Sequence, residues 1–264
     1  MGRLKDVLVN LALSAAALVF VLLVFELIVF RFVLPGSDLP RNAFVDDVIR
    51  YAPNQQGVWR VRNDIAAPFA INAQGWNSGT GDYELPRSQG TMRIAFVGDS
   101  YVEALQVPHD ASLAEHVART GAAQNQRIET YRFAISGAPM SQYLHIVERE
   151  VVKYRPDWIV VLLVGNDYDE SFVFQPGRYT SAFRKLRVAG GEVTGEIPPT
   201  PWEPGWADTL RQLATVRFFQ FRWQVRPETL AAWVVASGRA DTPTPDLLGP
   251  RRPISPPPPA TPTT

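Results

Sequence analysis

Three apolar runs, each ending in a small or polar turn, constrain this chain more than any other feature. Residues 93–97 (Arg-Ile-Ala-Phe-Val) lead into Gly98-Asp99-Ser100. Residues 129–135 lead into Ser136-Gly137-Ala138-Pro139. Residues 158–164 (Trp-Ile-Val-Val-Leu-Leu-Val) lead into Gly165-Asn166-Asp167. Short apolar runs bounded by turn residues read as strands. Helical patterns separate them. Ser112 opens one that runs to about Thr120, with Gly121 as a stop. Ser141 caps another that reaches Tyr154, with Tyr143, Leu144, Val147 and Val151 on one face and Pro156 ending it. Strands alternating with helices predict an α/β fold, a three-layer α/β/α sandwich around a parallel sheet. The unbroken apolar run 158–164 predicts a strand covered on both faces.

In open parallel sheets, ligand sites lie at the carboxyl ends of the strands. The three turns therefore bring a hydroxyl (Ser100), a glycine backbone (Gly137) and a carboxamide (Asn166) to one sheet edge. These are the parts for acyl transfer. A serine oxygen attacks an ester carbonyl, and preset donors hold the oxyanion that develops. Gly137 lets a backbone N–H approach closely, because no side chain stands in the way. Simpler roles exist for each: a helix cap for Ser100, ordinary turn residues for Gly137 and Asn166. Asp99 and Asp167 read as hydrogen-bonding groups that hold their turns.

These blocks carry a resemblance. Arg93-Ile-Ala-Phe-Val-Gly-Asp-Ser-Tyr-Val-Glu-Ala104 resembles the first block of the SGNH/GDSL hydrolases. Phe133-Ala-Ile-Ser-Gly-Ala-Pro-Met-Ser-Gln142 resembles the second, and Tyr154-Arg-Pro-Asp-Trp-Ile-Val-Val-Leu-Leu-Val-Gly-Asn-Asp167 resembles the approach to the third. A lone Gly-Asp-Ser tripeptide occurs by chance; three blocks in order, each after a strand, are a specific signal. Val164 stands where the family pattern Gly-x-Asn-Asp begins with glycine. Upstream, Ile71-Asn-Ala-Gln-Gly-Trp76 is similar to the lead-in of membrane-anchored bacterial members. The resemblance implies Ser100 as nucleophile and Gly137 and Asn166 as oxyanion donors. It implies an acylated small molecule or polysaccharide, or a lipid acyl ester, as substrate, and no metal or organic cofactor.

One departure from the family is large. Its members end with an Asp-x-x-His pair that supplies the acid and general base. This chain has three histidines, His109, His116 and His145, and none follows position 145. Asp208, Asp241 and Asp246 are followed three residues later by Arg211, Thr244 and Gly249. Three expectations follow. The base comes from His145, His109 or a partner chain; or the domain binds glycan or protein without catalysis; or the carboxyl end is truncated or frame-shifted.

The amino-terminal segment is apolar from Val7 to Val33, interrupted by Asn10, Ser14, Glu26 and Arg31. Its first part, residues 7–25, spans roughly 28 Å as a helix, close to the hydrocarbon thickness of a bilayer. No small-x-small cleavage site follows the run, which favours an uncleaved anchor over a signal peptide. Arg3 and Lys5 outweigh Asp6 on the first flank, so the amino terminus is expected inside and the main domain on the periplasmic or extracellular side. Composition excludes other classes. Net charge is zero with no long basic block, so the chain has no electrostatic footprint for nucleic acid. There is no cysteine, which removes disulfides and thiolate metal sites.

The expected organisation is an anchor over residues 1–36, an extension over 37–90 packing on the main domain, the SGNH-like domain over 91–241, and a disordered tail over 242–264, which includes Pro256 to Pro259. Within these, residues 57–62 and 69–71 read as extended pieces. Residues 186–194 read as a hairpin around Gly190-Gly191, and residues 198–204 as a loop. Residues 206–221 read as a helix with Leu210, Leu213, Phe218 and Phe221 inward. Trp202 and Trp206 either line a sugar-binding face or pack under the loop.

Overall fold

A computed structural model describes residues 2–172 and 182–225. Helix α1 covers Gly2–Val24 and continues as a π-helical stretch, Phe25–Val33. Arg3–Val33 forms one helical unit of 31 residues, and its most apolar 18-residue window has a mean hydropathy of 2.8 and is scarcely buried. It is long and apolar enough to cross a membrane, a property that signal sequences near an amino terminus share. Two antiparallel hairpins follow: β1 (Asn42–Val45) with β2 (Val48–Tyr51), and β3 (Gln55–Val61) with β4 (Ile65–Ile71). Strand β4 contains the piece expected over 69–71, and β3 contains that expected over 57–62 except for Arg62, which begins the turn. The first hairpin turns through Asp46 and Asp47, both at positive φ, the geometry that matches strand twist in a two-residue loop.

The central unit comprises β5 (Thr91–Gly98), α2 (Ser100–Glu103), α3 (Leu113–Ala123), β6 (Arg127–Ala134), α4 (Met140–Arg149) and β7 (Trp158–Val161). Helix α3 runs two residues past Gly121, the expected stop. Helix α4 gives way to a tight turn at Val151–Tyr154. The sheet order is β6-β5-β7, all parallel. Beyond it come α5 (Asp167–Glu170), the β8–β9 hairpin (Lys185–Ala189 and Glu192–Ile197), α6 (Trp206–Arg211) and α7 (Ala214–Val216, continued by a π-helical turn, Arg217–Arg222). The β8–β9 turn is at Gly190-Gly191, as expected.

Alternation along β5 sorts the core into two layers. Ile94 and Phe96 face Val102 of α2 and Ala114 of α3. Ala95 and Val97 face Tyr143 and Ile146 of α4, together with Tyr51, Trp76 and Tyr83 from the amino-terminal hairpin region. Helix, sheet and helix thus make the expected three layers, an α/β fold with a parallel sheet. Residues 38–90 supply part of one layer. Tyr83 stacks on Tyr131 with ring centroids 4.1 Å apart, and Trp76 meets Phe133 edge-on at 5.5 Å. Arg93 is fully buried, donating to the Tyr154 carbonyl at 2.6 Å and to Glu129 at 2.6 Å. A buried guanidinium persists only when its donors are paired in this way.

Two expectations are corrected. Strand β7 is not covered on both faces: Trp158, Ile159, Val160 and Val161 are 39% to 63% exposed. Among the described residues it is an edge strand that pairs on one side with β5, and α3 and α4 lie over β5 and β6 instead. The helix read over 206–221 breaks at Gln212-Leu213, where Leu213 turns to ψ 135°. Leu210 and Leu213 accordingly face outward, at 46% and 40% exposure. The expected tail over 242–264, with Asp241 and Asp246, lies outside the described residues.

Candidate active site

Parallel register fixes what shares an edge. Val97 pairs with Phe133 on one side and with Val161 on the other, and Gly98 pairs with Ala134. Chain direction is common to all three strands, so the segments after them emerge together. Ser100, Gly137 and Asn166 lie two, three and five residues past the ends of β5, β6 and β7. The central strand carries Ser100, flanked by the turns of Gly137 and Asn166.

Each turn is built by identifiable groups. After β5 the chain reverses sharply into α2. Asp99 caps that helix, its Oδ1 accepting from the Tyr101 N–H at 3.0 Å. Gly98 is needed just before it, since a Cβ there would stand 2.5 Å from Cγ2 of Val102 and 3.3 Å from the Leu162 carbonyl oxygen. Ser100 is partly exposed, and its Oγ lies 3.4 Å from Oδ2 of Asp99. The second turn closes through the Ala138 N–H donating to the Ile135 carbonyl at 3.1 Å, with Gly137 at φ 74° in the third position. That left-handed position favours glycine. In the third turn Asp167 is buried, and its Oδ2 accepts from the Val164 N–H at 2.7 Å and the Tyr143 hydroxyl at 2.8 Å. Asn166, exposed, starts α5 and accepts the Glu170 N–H on its carbonyl. The turns are also close electrostatically. Burial raises the Asp99 carboxyl above its usual range, and the charge of Asp167 adds to this. Burial and the hydrogen bond to Asp167 push the Tyr143 hydroxyl far up, so it stays protonated.

Glu103 connects two of the turns. Its carboxylate accepts from the Ser136 N–H at 3.0 Å and from the Ser136 hydroxyl, and also from the Tyr51 hydroxyl. Its backbone carbonyl accepts from Asn77 Nδ2 at 2.8 Å and from Arg132 Nη1 at 3.1 Å. The residue is 1% exposed, and burial pushes its carboxyl up to about 7. Helix α2, the Gly137 turn and the amino-terminal hairpin region are thus joined at one side chain. Glu103, Tyr51, Asn77 and Arg132 were not singled out from sequence. The available signal was a charged residue in an otherwise apolar context: Glu103 between Val102 and Ala104, and Arg132 between Tyr131 and Phe133.

The histidines are engaged elsewhere. His109 accepts the Gly79 N–H on Nδ1 at 2.9 Å, contacts Arg132 through the same atom, and places Nε2 3.2 Å from Glu115. The His109 contact is the main reason that Glu115 is held below the usual carboxylate range. His116 is beside Arg119 on α3. His145 is buried on α4, with Nε2 donating to the Asp47 carbonyl at 2.7 Å. Among the described residues, none of the three has Ser100 as a hydrogen-bond partner. Of the aspartates expected to be compared with an Asp-x-x-His block, Asp208 pairs with Arg211 at 2.8 Å.

No curated protein matches the chain. Residues 94–189, running from β5 through the end of β8, match the family model of the GDSL-like lipase/acylhydrolases. The match takes in the strands of the parallel sheet and all three turns, and over these residues the chain is similar to the GDSL-like lipase/acylhydrolases, consistent with the SGNH/GDSL hydrolase family.

Proposed function

We propose that this protein is a membrane-anchored serine ester hydrolase or O-acyl transferase, acting on carbohydrate or lipid acyl esters outside the membrane. The family supports acyl-ester chemistry in general. The carrying observation is the placement of Ser100 at the end of the central strand, between the turns that hold Gly137 and Asn166. In this reading Ser100 Oγ attacks the ester carbonyl. The Ser100 N–H belongs to the first turn of a helix, whose N–H groups have no intrahelical acceptor. Together with the Gly137 N–H and the Asn166 carboxamide it holds the oxyanion. The tetrahedral intermediate collapses by breaking the ester C–O bond, the alcohol leaves carrying the proton given up by Ser100, and the acyl-enzyme then passes its acyl group to water or to a sugar hydroxyl, whose proton returns to Ser100 Oγ.

A second reading, an SGNH-like domain that binds glycan or protein without turnover, is favoured by one observation: every histidine has its contacts away from Ser100. Removing the base of a serine hydrolase triad lowers turnover by on the order of a million-fold, leaving about 10³–10⁴ over water. An ordinary assay separates the two. The test is hydrolysis of a short activated acyl ester by the full chain in detergent, compared with Ser100→Ala. The full chain is used because α7 leans on Glu26 and Phe30. Activity lost in the variant supports the hydrolase reading; no Ser100-dependent activity from folded protein supports the binding domain.

A further inference from the structure

We propose that α6 and α7 form a collar lying in the headgroup layer of the membrane, on the side where α1 leaves it, with Trp206, Leu210 and Phe219 in contact with lipid. The proposal rests on the reading of α1 as a retained membrane anchor.

The end of the apolar helix is knitted to α7. The Glu26 carboxylate accepts from the Ala214 N–H at 2.7 Å, the Thr215 N–H at 2.9 Å and the Thr215 hydroxyl at 2.8 Å. It therefore caps α7 from another element and puts negative charge where the helix dipole favours it. Phe30, 7% exposed, inserts between Phe218 and Phe219 at 4.7 and 5.5 Å. A Cβ on Gly36 would stand 2.8 Å from the Phe218 nitrogen, so the backbones touch. Arg217 pairs with Asp38 at 2.6 Å, and Arg222 donates to the Pro35 carbonyl at 2.7 Å. Contact thus runs along the chain from Glu26 to Asp38.

Length sets the depth. From Val7 to Glu26 a helix rises roughly 30 Å, the thickness of the hydrocarbon core. The residues just past Glu26 then occupy the interfacial layer, which is about 5–8 Å deep on each side. Whatever packs against them lies at that level, and α7 does. The surface it presents suits the place. Trp206 is 79% exposed, Leu210 46% and Phe219 47%, and Phe32 and Val33 on the anchor are 78% and 66% exposed. Trp206 and Leu210 are four apart and share a helix face. Apolar and tryptophan side chains interleaved with Arg211, Arg217 and Arg222 are what a headgroup layer accommodates, since rings sit at that depth and guanidiniums reach the phosphates.

The chain has no cysteine, so single cysteines report cleanly. The full chain is placed in vesicles of phosphatidylcholine and phosphatidylglycerol with a spin label at Leu210→Cys. Trp206→Cys serves as a second position. Leu18→Cys reports the anchor, and Glu192→Cys on the exposed hairpin gives an aqueous reference. Accessibility to oxygen and to a water-soluble nickel chelate gives depth. The expected result places both collar labels within about 5–10 Å of the phosphates and shields them from nickel. Collar labels as open to nickel as Glu192→Cys, with Leu18→Cys in hydrocarbon, overturn the collar and leave the anchor standing. An aqueous Leu18→Cys overturns both.

Discussion

Glu103 and Ser136 are 33 residues apart in sequence and joined twice, through the Ser136 N–H at 3.0 Å and the Ser136 hydroxyl. The pair fixes the distance between the helix that starts at Ser100 and the turn that contains Gly137. Because burial raises the Glu103 carboxyl from 4.5 to about 7, its protonation is coupled to folding. The folded state holds the proton more tightly than the unfolded chain. The contribution is therefore fully present below about pH 4.5 and is lost as pH rises to about 7, by on the order of 3 kcal/mol. Glu103→Gln keeps the shape and cannot ionise. Urea unfolding across this interval should show a falling stability for the native chain and a flatter one for the variant.

Gly137→Ala meets two penalties. A left-handed position costs an alanine about 1–2 kcal/mol, and a shifted turn moves the N–H assigned to the oxyanion. The variant should unfold at lower urea and, if Ser100-dependent esterase activity is present, lose about 10²–10³ in kcat. Asn166→Ala, at an exposed position, should lose activity on a similar scale while keeping its urea midpoint.

Gly98→Ala tests steric necessity at the end of β5. The added methyl would overlap Val102, and overpacking of this kind costs about 1–3 kcal/mol. The double variant Gly98→Ala with Val102→Ala should recover part of that loss. Equal stabilities for single and double variants would show that the strain arises at the Leu162 carbonyl instead.

Glu26→Ala removes the cap on α7 without touching the sheet. Loss of a cap costs about 1 kcal/mol, up to about 2. Hydrogen exchange read residue by residue should speed up about fivefold or more at Ala214 and Thr215, with β5 and β6 amides unchanged. Uniform acceleration across the domain would instead mean that the contact supports the whole fold.

Much of the central unit was legible because its signals are local. Apolar runs ending in Gly98, Ser136-Gly137 and Gly165 gave the strands, their direction and the shared edge. What misled was the use of hydropathy as a measure of burial. The run at 158–161 is as apolar as β5, yet among the described residues β5 lies between two neighbours and β7 has one. Hydropathy reports what a segment tolerates; its partners decide whether it is covered. The helix over 206–221 failed similarly. Its periodicity pointed Leu210 inward, but the partner proved to be the apolar amino-terminal helix, and Glu26 and Phe30 took the contact at Thr215 and Phe218. Glu103 and Arg132 went unnoticed since their partners come from segments up to 52 residues away, Tyr51 among them. No local pattern announces such a pairing.

The Glu26 contact also has a place in time. Its acceptors are filled by amides 188 and 189 residues further along the chain. At about 5–20 residues per second, synthesis needs roughly 10–40 s to cover that separation. During that interval the carboxylate waits without its helix, while the sheet strands emerge and pair. The apolar helix is thus made well before the segment that it caps, and this contact closes only once α7 has been synthesised.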